Sequence, residues 1–316
     1  MMERLAPMLA IAAREPFDAA DYLFEVKWDG IRALSCHDER GWRLWGRGGT
    51  DYGPRYPELA VLAALPQGTM LDGQSVLLSQ GVPNLSTLLA RHGRAPAHDR
   101  RHFVPQPPVT YLIFDALYER GRCLLSRPLS ERREAARQCV ADLADARVVF
   151  SESVVGAGRA FFAQAVAAGQ EGVMVKQLAS PYRPGRRCAF WQKIKPWTCL
   201  PAVIFGYVPG RQGVRRVLVA AMQQGQLRFV AELRSGLNAA WRQQLAGLLA
   251  SRSCSRPVVP CRRRALWVRP ELYCQVRFLG WTSGGRLRDA SFAGLLPTLA
   301  GPGTSPDAPC PARRLP

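Results

Sequence analysis

Short apolar runs broken by turn-forming residues dominate the first two thirds of the chain. Where apolar and polar residues alternate, with many β-branched and aromatic side chains, half-buried strands are predicted. The predicted strands are residues 22–28, 31–37, 42–47, 69–79 with an interruption at Asp72-Gly73, 109–118, 148–154, 172–178 and 190–195. Helices are predicted at residues 57–65, 84–92, 130–144 with Ser130 as N-cap, and 159–168 ending at Gly169. Because strands and helices do not alternate regularly, the pattern predicts an α+β fold class with mostly antiparallel sheets.

The pattern changes after Pro196, where strand-like runs become denser. The predicted elements there are strands at residues 202–208, 215–222, 227–233, 273–281 and around 287, and one helix capped by Asn238 that runs to about residue 250. A small strand-rich module with one helix is typical of a β-barrel such as an OB-fold. We therefore expect two domains, residues 1–199 and 200–300, and a Pro- and Gly-rich tail, residues 301–316, that is predicted to be disordered.

Positive charge is distributed unevenly along the 316 residues, whose formal net charge is +19. Residues 200–316 hold 17 Arg against 4 acidic residues, a net charge of +13. Residues 1–199 hold 26 basic and 20 acidic residues, a net charge of +6. The C-terminal excess favours a polyanionic partner such as nucleic acid. The alternative is a solvated basic surface that reflects only the arginine-rich composition.

Two classes of function are disfavoured by the sequence. The nine cysteines form no C-x-x-C pair and the four histidines show no metal-ligand spacing, so a zinc site is not expected. No signal-peptide pattern and no apolar run long enough to span a bilayer is seen, so we expect a cytoplasmic protein without a membrane partner.

Lysine is rare in this chain, because 39 of the 43 basic residues are arginine. The four lysines are Lys27, Lys176, Lys193 and Lys195. Both side chains carry positive charge, but only lysine can lose its proton near neutral pH and attack an electrophile. All four lie in apolar, strand-like segments rather than in polar loops, where a lysine without function is expected. We therefore interpret them as a functional set; the alternative is that four lysine codons survived by chance.

Lys27 begins the segment Lys27-Trp28-Asp29-Gly30-Ile31-Arg32, a K-x-D-G-x-R pattern between two predicted strands. A lysine that attacks a phosphate needs a fixed position and a nearby cation that binds the anionic electrophile. The turn at Gly30 supplies the fixed position, and Arg32 supplies the cation. The segment is therefore suited to nucleophilic attack on a phosphate.

This pattern and five later ones resemble the motifs of the covalent nucleotidyltransferases, which include ATP-dependent DNA ligases, RNA ligases and mRNA capping enzymes. The five later patterns are W-G-R-G-G at residues 45–49, L-D-G-Q at 71–74, Y-L-I-F-D at 111–115, E-G-V-M-V-K at 171–176 and W-Q-K-I-K at 191–195. Segments at residues 5–10, 267–270, 281–282 and 286–288 are similar to the ATP-dependent DNA ligases of the bacterial end-joining type. The resemblance extends over about residues 5–296 and includes all four lysines.

The resemblance implies an adenylation (nucleotidyltransferase) domain followed by an OB-fold domain, and a ligation in three phosphoryl transfers. Lys27 would attack the α-phosphate of ATP and form a covalent adduct with AMP. The AMP would pass to the 5′-phosphate of nicked duplex DNA, and the 3′-hydroxyl would then displace it and seal the strand. ATP and Mg²⁺ or Mn²⁺ are the implied cofactors.

The resemblance also implies roles for other side chains in the motifs. Lys193 and Lys195 would hold the α-phosphate, and Glu171 would contact the divalent metal. Phe114 would stack on adenine and Met174 would cover its other face. For these two apolar side chains the alternative is ordinary core packing.

Several further nucleotide contacts are implied. Lys176 would contact the nucleotide or neighbouring carboxylates, and Arg32 and Arg47 would bind the ribose side or a DNA phosphate. Arg286 and Arg288 would orient the pyrophosphate, with a basic DNA-binding surface as the alternative. The complete set of implied nucleotide-binding residues is Glu25, Arg32, Arg47, Gln74, Phe114, Met174, Lys176, Lys193, Lys195, Arg286 and Arg288.

Two departures from the family pattern bear on the first step. Gln74 stands where the family carries a glutamate that would contact the ribose or support the metal, and an amide keeps its shape but not its charge. Residues 291–297 lack the acidic-basic run that usually follows the R-L-R segment. We therefore expect adenylation by ATP to be affected more than the sealing of an adenylated nick.

An active ATP-dependent DNA ligase in DNA repair or end joining is the favoured function, because all four lysines, Phe114 and Glu171 are retained. The alternatives are a catalytically weakened relative that binds DNA ends, and an RNA ligase. Nicked duplex DNA is the expected partner, and a Ku-type end-binding protein is a candidate by resemblance only. The chain is expected to act as a monomer at the bacterial nucleoid.

Overall fold

The computed structural model of the chain describes residues 3–13, 15–79, 81–93, 108–282 and 284–296, and it divides into two compact units between Lys195 and Pro196. The tail that is predicted to be disordered, residues 301–316, lies outside the described residues. In the described part of the chain, no helix has the length and apolar character needed to cross a bilayer.

The first unit is built mainly from strands. In chain order they are β1 (Leu9–Ala12), β2 (Ala19–Val26), β3 (Ile31–Asp38), β4 (Gly41–Gly46), β5 (Thr69–Val76), β6 (Leu78–Ser79), β7 (Val82–Pro83), β8 (Thr110–Glu119), β9 (Arg122–Cys123), β10 (Val148–Phe150), β11 (Ser153–Gly156), β12 (Val173–Gln177) and β13 (Arg187–Ile194). The helices are α1 (Leu85–His92), α2 (Leu129–Leu143) and α3 (Gly158–Ala167), with 3₁₀ segments at Gly53–Arg55 and Pro57–Ala64.

Two sheets form the body of this unit. The first has the strand order β1-β13-β12-β2-β11, and the second has the order β10-β8-β5-β3-β4 with β9 beside β8. Among the described pairs of these sheets, β1 with β13 and β10 with β8 are parallel and the others are antiparallel. The predicted α+β class with mostly antiparallel sheets agrees with this arrangement.

One apolar core lies between the two sheets. Leu23 and Trp191 of the first sheet pack there against Leu34 and Phe114 of the second. On the outer face of the first sheet, α3 contributes Ala165 to a second cluster. On the outer face of the second sheet, α2 packs with the longer 3₁₀ segment. The unit is therefore layered, with helices outside and two sheets inside.

Three local predictions for this unit are wrong. Ser130 does not cap α2, which begins one residue earlier after Pro128 and has no side-chain cap. Residues 148–154 form not one strand but β10 and β11, which belong to different sheets. The strand predicted over 69–79 is not interrupted at Asp72-Gly73, where only the register of β5 with β8 shifts; it ends at Val76, and Leu78–Ser79 form the separate strand β6. In each case contacts distant in sequence outweigh the local pattern.

In its described residues, the second unit is an antiparallel sheet with one helix. Its elements are β14 (Thr198–Gly210), β15 (Gly213–Gln223), β16 (Gln226–Leu233), α4 (Ala239–Ala250), β17 (Ser253–Cys254), β18 (Leu266–Phe278), β19 (Gly280–Trp281), β20 (Leu287–Arg288) and β21 (Ser291–Leu296). The strand order is β16-β15-β14-β18-β17, with β21 beside β18. Asn238 caps α4 as predicted, because its Oδ1 accepts a 2.8 Å hydrogen bond from the backbone N–H of Trp241. Helix α4 packs Leu245 and Leu249 on the sheet.

Candidate active site

A cavity of about 290 Å³ lies in the first unit, between its two sheets. Strands β2, β12 and β13 line one side, and β3, β5 and β8 contribute the other. Ten of the residues that the sequence analysis assigns to the site line this cavity: Glu25, Lys27, Arg32, Arg47, Gln74, Phe114, Glu171, Met174, Lys176 and Lys193. Motifs separated by up to about 170 residues therefore converge on one place.

The register of the first sheet explains why the lysines converge. Met174 of β12 lies opposite both Glu25 of β2 and Lys193 of β13. Residues opposite each other in neighbouring strands, and residues two apart along a strand, point to the same face of a sheet. Lys193 belongs to this row, Lys176 lies two residues from it on β12, and Lys27 and Lys195, one residue beyond the ends of β2 and β13, also lie two residues from it. The four lysines therefore belong to the face that lines the cavity.

Two motif glycines allow the close approach that the site requires. A Cβ at Gly30 would lie 2.4 Å from the carbonyl oxygen of Ser75, so a larger residue would displace the backbone. Gly172 has a φ of +140°, and a Cβ there would lie 2.1 Å from the carbonyl oxygen of Ile194. The carbonyl of Gly172 accepts a 2.9 Å hydrogen bond from the N–H of Lys27. Glycine at these two positions thus allows the main chain to pack closely beside the lysines.

Glu171 bridges two of the lysines. Its Oε1 lies 2.8 Å from the Nζ of Lys195, and its Oε2 accepts a hydrogen bond from the Nζ of Lys27. Although burial alone would raise the pKa of Glu171, the charge of Lys27 and the hydrogen bonds from both lysines lower it. The pKa of Lys193 is lowered by burial and then by the charges of Lys195 and Lys27. This end of the cavity therefore carries more positive than negative charge, which suits a phosphate.

Lys176 and Glu25 form a buried ion pair at the opposite part of the cavity wall. Their side chains are 0% and 2% exposed, and the Nζ of Lys176 lies 2.5 Å from the Oε1 of Glu25. The same Nζ lies 4.0 Å from the ring centroid of Phe114 and 4.2 Å from that of Trp191. Burial lowers the pKa of Lys176 to about 8, although Glu25 opposes this shift. Lys176 therefore contacts a neighbouring carboxylate and the aromatic wall together.

Arg32 is held in place by Asp72. Its Nε and Nη2 donate hydrogen bonds of 2.9 and 2.6 Å to the two oxygens of Asp72, and the hydroxyl of Tyr182 donates to Oδ2 at 2.6 Å. Burial would lower the pKa of Arg32, but Asp72 outweighs it and raises that pKa above its ordinary value. The guanidinium therefore lines the cavity as a fixed cation.

Gln74 supports the turn that follows Lys27. Its Nε2 donates a 2.9 Å hydrogen bond to the carbonyl oxygen of Trp28, with the amide orientation assigned from this contact. The indole N–H of Trp28 donates to the hydroxyl of Ser151 at 3.0 Å. A glutamate at position 74 could not donate to the carbonyl. The amide thus has a local structural partner in this chain.

Comparisons with known proteins identify the family. The family model described as "ATP dependent DNA ligase domain" matches residues 7–195, and the model described as "ATP dependent DNA ligase C terminal region" matches residues 210–297. The chain belongs to the ATP-dependent DNA ligase family. The resemblance inferred from the sequence is thereby confirmed.

Individual relatives narrow the type of ligase. The chain is 36% identical to the multifunctional non-homologous end joining protein LigD of Mycobacterium bovis, over 93% of this chain but only 39% of that protein. It is 32% identical to a probable DNA ligase of Sorangium cellulosum, over 90% of this chain and 55% of that protein. The chain therefore spans less than half of the LigD relative's length, and its similarity is to the end-joining type of ligase.

Solved structures agree with this family. The crystal structure of the ligase domain of Mycobacterium tuberculosis LigD is 33% identical, covers 93% of this chain and 95% of that chain, and gives a TM-score of 0.53. A Lig E DNA ligase is 16% identical with a TM-score of 0.62, and it covers 92% of this chain and 100% of that chain. At that identity the second likeness shows the ligase fold alone.

Three predicted residues of the ligase do not line this cavity. Lys195 lies just beyond β13 and reaches the site through Glu171. Arg286 and Arg288 belong to the second unit, where the guanidinium of Arg286 lies 4.0 Å from the ring centroid of Phe229 and donates to its carbonyl oxygen. Arg47, by contrast, lines the cavity with an exposed side chain.

Several lining residues of the ligase were not predicted as site residues. They are Leu9, Ala10, Val26, Trp28, Asp29, Gly30, Arg187 and Trp191. Period-two alternation could have found two of these, because Arg187, Trp191 and Lys193 are separated by even numbers on β13. Leu9 and Ala10 could not be found in this way, because β1 has only four residues and no clear alternation.

Proposed function

We propose that the chain joins 5′-phosphate and 3′-hydroxyl ends in nicked duplex DNA through a Lys27–AMP intermediate. The main support is that Lys27, Lys193 and Glu171, which pairs with Lys195, line the same cavity as Phe114 and Met174. The first group suits phosphates and the second suits a purine ring, as ATP requires.

In the proposed first step the adenine lies between Phe114 of β8 and Met174 of β12, and the phosphates lie toward the lysines. The nitrogen of Lys27, after losing its proton, forms a bond to the α-phosphorus, and the bond from phosphorus to the pyrophosphate oxygen breaks. Lys193 and Lys195 neutralise charge on the transferring group, and their fixed positions supply orientation. Glu171 holds Lys27 and Lys195 together before the nucleotide binds.

The two later steps use the AMP that became bound to Lys27 in the first step. An oxygen of the 5′-phosphate attacks the α-phosphorus, the phosphorus–nitrogen bond breaks, and Lys27 recovers its proton. The 3′-hydroxyl then attacks the 5′-phosphate, loses its proton, and AMP leaves. Arg32, fixed by Asp72, and exposed Arg47 are placed to bind ribose or a DNA phosphate.

The side chains that line the cavity fit a metal ion that arrives with the nucleotide. No cluster of three His, Cys, Asp or Glu that could hold an ion occurs in the described part of the chain. Glu171 is a carboxylate at the phosphate end, and Mg²⁺ is often bound by one or two carboxylates together with substrate phosphates. We therefore assign Glu171 as the protein ligand of Mg²⁺ or Mn²⁺, which supplies charge neutralisation at the phosphates when bound.

The second unit is proposed to be an OB-fold domain that binds duplex DNA. Its antiparallel sheet with one helix, and the net charge of +13 over residues 200–316, support this assignment. Arg286 and Arg288 are kept as candidates for contact with pyrophosphate during adenylation. From the relatives and from the resemblance, we also propose that the chain acts in end joining at the bacterial nucleoid. We propose that it acts there as a monomer with a Ku-type partner.

Incubation with α-labelled ATP and Mg²⁺ or Mn²⁺, followed by a denaturing gel, tests the mechanism. The wild type should carry the label, whereas Lys27→Arg should fall below about one thousandth of it, because arginine cannot act as the nucleophile. Arg159→Lys, at an exposed position on α3, is the matched control and should label normally. A label on Lys27→Arg, or none on the wild type, would contradict the proposal.

Sealing assays then separate the alternatives. A nicked DNA duplex should be sealed faster than a nicked RNA duplex of the same sequence. Preference for RNA would favour the RNA ligase. Binding to nicked DNA without labelling or sealing would favour the weakened relative that only binds ends.

A further inference from the structure

Arg133 of α2 is a buried cation that no motif includes. It is 6% exposed, and its guanidinium lies 4.6 Å from the ring centroid of Phe150. The sequence pattern places it at the edge of a helix face, where an arginine usually reaches solvent. Burial of a charge is costly unless it is paired and hydrogen-bonded. The hydrogen-bond partners of Arg133 therefore indicate the role of this buried side chain.

The guanidinium of Arg133 joins the two sheets that enclose the cavity. Its Nη1 donates to the Oε2 of Glu25 on β2 at 2.7 Å and to the carbonyl oxygen of Phe114 on β8 at 3.1 Å. Its Nη2 donates to the carbonyl oxygen of Ser151 at 2.7 Å and to the hydroxyl of Ser153 at 3.1 Å. One planar group thus connects β2, β8 and the segment that leads into β11.

These partners belong to the walls of the cavity. Glu25 and Phe114 line it directly, and Glu25 also pairs with Lys176. Ser151 accepts the indole N–H of Trp28, the residue after Lys27. A change at Arg133 would therefore be transmitted to the purine end of the cavity and to the turn beside the nucleophile.

We propose that Arg133 is a positioning residue for ATP, which fixes the separation of the Glu25–Lys176 pair from Phe114 and so sets the width of the adenosine end of the cavity. The inference rests on the proposed function, because it concerns the same nucleotide. Arg133 does not line the cavity and acts only through Glu25, Phe114 and Ser151.

Arg132 provides a matched comparison one residue away. It is 0% exposed and holds Asp115 through Nε and Nη2 at 2.8 and 2.9 Å, and it also donates to the carbonyl oxygens of Arg127 and Ser180. None of these partners lines the cavity. Replacing Arg132 should therefore disturb folding about as much as replacing Arg133, without changing the adenosine end.

The experiment measures equilibrium binding of α,β-methylene-ATP, an analogue that cannot transfer AMP, to the full chain. We expect Arg133→Lys to weaken binding about 10-fold or more, because one ammonium cannot replace four hydrogen bonds that a planar fork makes. Arg132→Lys should leave the dissociation constant within about 2-fold of the wild type, although its melting temperature falls. Arg137→Lys, whose partner Glu152 is exposed, should change neither quantity.

Steady-state sealing of excess nicked DNA at varied ATP concentration adds a second readout. Arg133→Lys should raise the KM for ATP more than it lowers kcat, whereas loss of folded protein alone would lower the maximal rate and leave KM unchanged. Unchanged analogue binding by Arg133→Lys, or equal weakening by Arg132→Lys, would overturn the inference. Even where an uncharged variant such as Arg133→Gln fails to fold, Arg133→Lys keeps the positive charge and therefore still tests the inference.

The two proposals fail in different ways. A wild type that is labelled on Lys27 while Arg133→Lys binds the analogue normally would remove only the role of Arg133. A wild type that neither binds the analogue nor accepts the label would remove the proposed function and this inference together.

Discussion

Two ion pairs, one from each unit of the molecule, show different uses of charge. In the first unit Arg132 and Asp115 are each 0% exposed and pair through two hydrogen bonds. In the second unit Arg269 and Glu271 pair at 3.2 Å but are 58% and 48% exposed. A buried pair fixes geometry because losing one partner leaves an unpaired charge, whereas an exposed pair contributes little to stability.

The contrast indicates how the units divide the work. Buried pairs around the cavity hold the residues that would handle ATP in fixed positions. Exposed arginines in the second unit would create a positive field that attracts a polyanion such as the proposed DNA over a longer distance. Substitutions of charge should therefore affect stability and chemistry in the first unit, and DNA affinity in the second.

The largest expected difference is between one buried and one exposed arginine. Arg132→Leu should destabilise the first unit by about 3–5 kcal/mol, because Asp115 remains buried without its partner. Arg269→Leu should change stability by about 0–1 kcal/mol, because both partners of the pair are already in water. The midpoints of urea unfolding of the two variants, measured by circular dichroism, give the difference. Equal shifts would show that burial of the pair does not decide its contribution.

A second difference concerns pH. Because the pKa of Lys176 is about 8, its positive charge is present below that pH and is lost as the pH rises through it. Binding of the anionic ATP analogue should therefore weaken several-fold between about pH 7 and pH 9. In Lys176→Met binding should be weaker throughout, and the part of the pH dependence centred near pH 8 should disappear. An unchanged pH profile in this variant would assign the dependence to another group, such as Lys193.

The exposed arginines of the second unit should act on DNA binding alone. Replacing Arg262 and Arg264, which are both exposed, with glutamine should weaken binding to nicked duplex DNA. The slope of log affinity against log salt should fall by about 1 for each DNA phosphate that is no longer neutralised by an arginine. Labelling of Lys27 by ATP should stay at the wild-type level. If labelling decreased together with DNA affinity, the proposal that ATP is handled by the first unit and DNA is bound by the second would be contradicted.

The smallest expected effect concerns Gln74. Gln74→Glu restores the residue usual in the family, but it removes the hydrogen bond donated to the carbonyl of Trp28. We expect adenylation to slow about 3- to 10-fold, which corresponds to the loss of one ordinary hydrogen bond. Gln138→Glu, on an exposed face of α2, is the control. Faster adenylation in Gln74→Glu would instead support the expectation from the family pattern that the amide limits this step.

Much of the site could be predicted because its motifs are local. The segment from Lys27 to Arg32 indicates a nucleophile and a turn without any knowledge of the fold, and the close approach at Gly30 gives the physical reason for its glycine. The division of residues 148–154 between two sheets could not be predicted in this way. Residues 148–154 contain no Gly or Pro that would mark a break between two strands. In the structure the chain passes between the sheets near Ser151, whose carbonyl oxygen accepts a hydrogen bond from Arg133.

Arg133 illustrates the limit most clearly. Nothing in the helical pattern of residues 130–144 distinguishes it from Arg137, which lies one turn further on and is half exposed. The difference arises because β2 and β8 bring Glu25 and Phe114 to the same side of α2. Such contacts join residues about 19 and 108 positions apart, so a local pattern contains no trace of them.

The sequence by itself determined which residues are candidates for the chemistry. Four lysines in an arginine-rich chain, each within a motif, are enough to predict a nucleophile and its phosphate-binding neighbours. Their position on one face of a sheet follows from the register of β2, β12 and β13. Only the tertiary structure decided how these charges are partnered: Lys27 and Lys195 with Glu171, and Lys176 with Glu25. The reason is that side-chain spacing follows from local backbone geometry, whereas the pairing of buried charges depends on which distant strands meet.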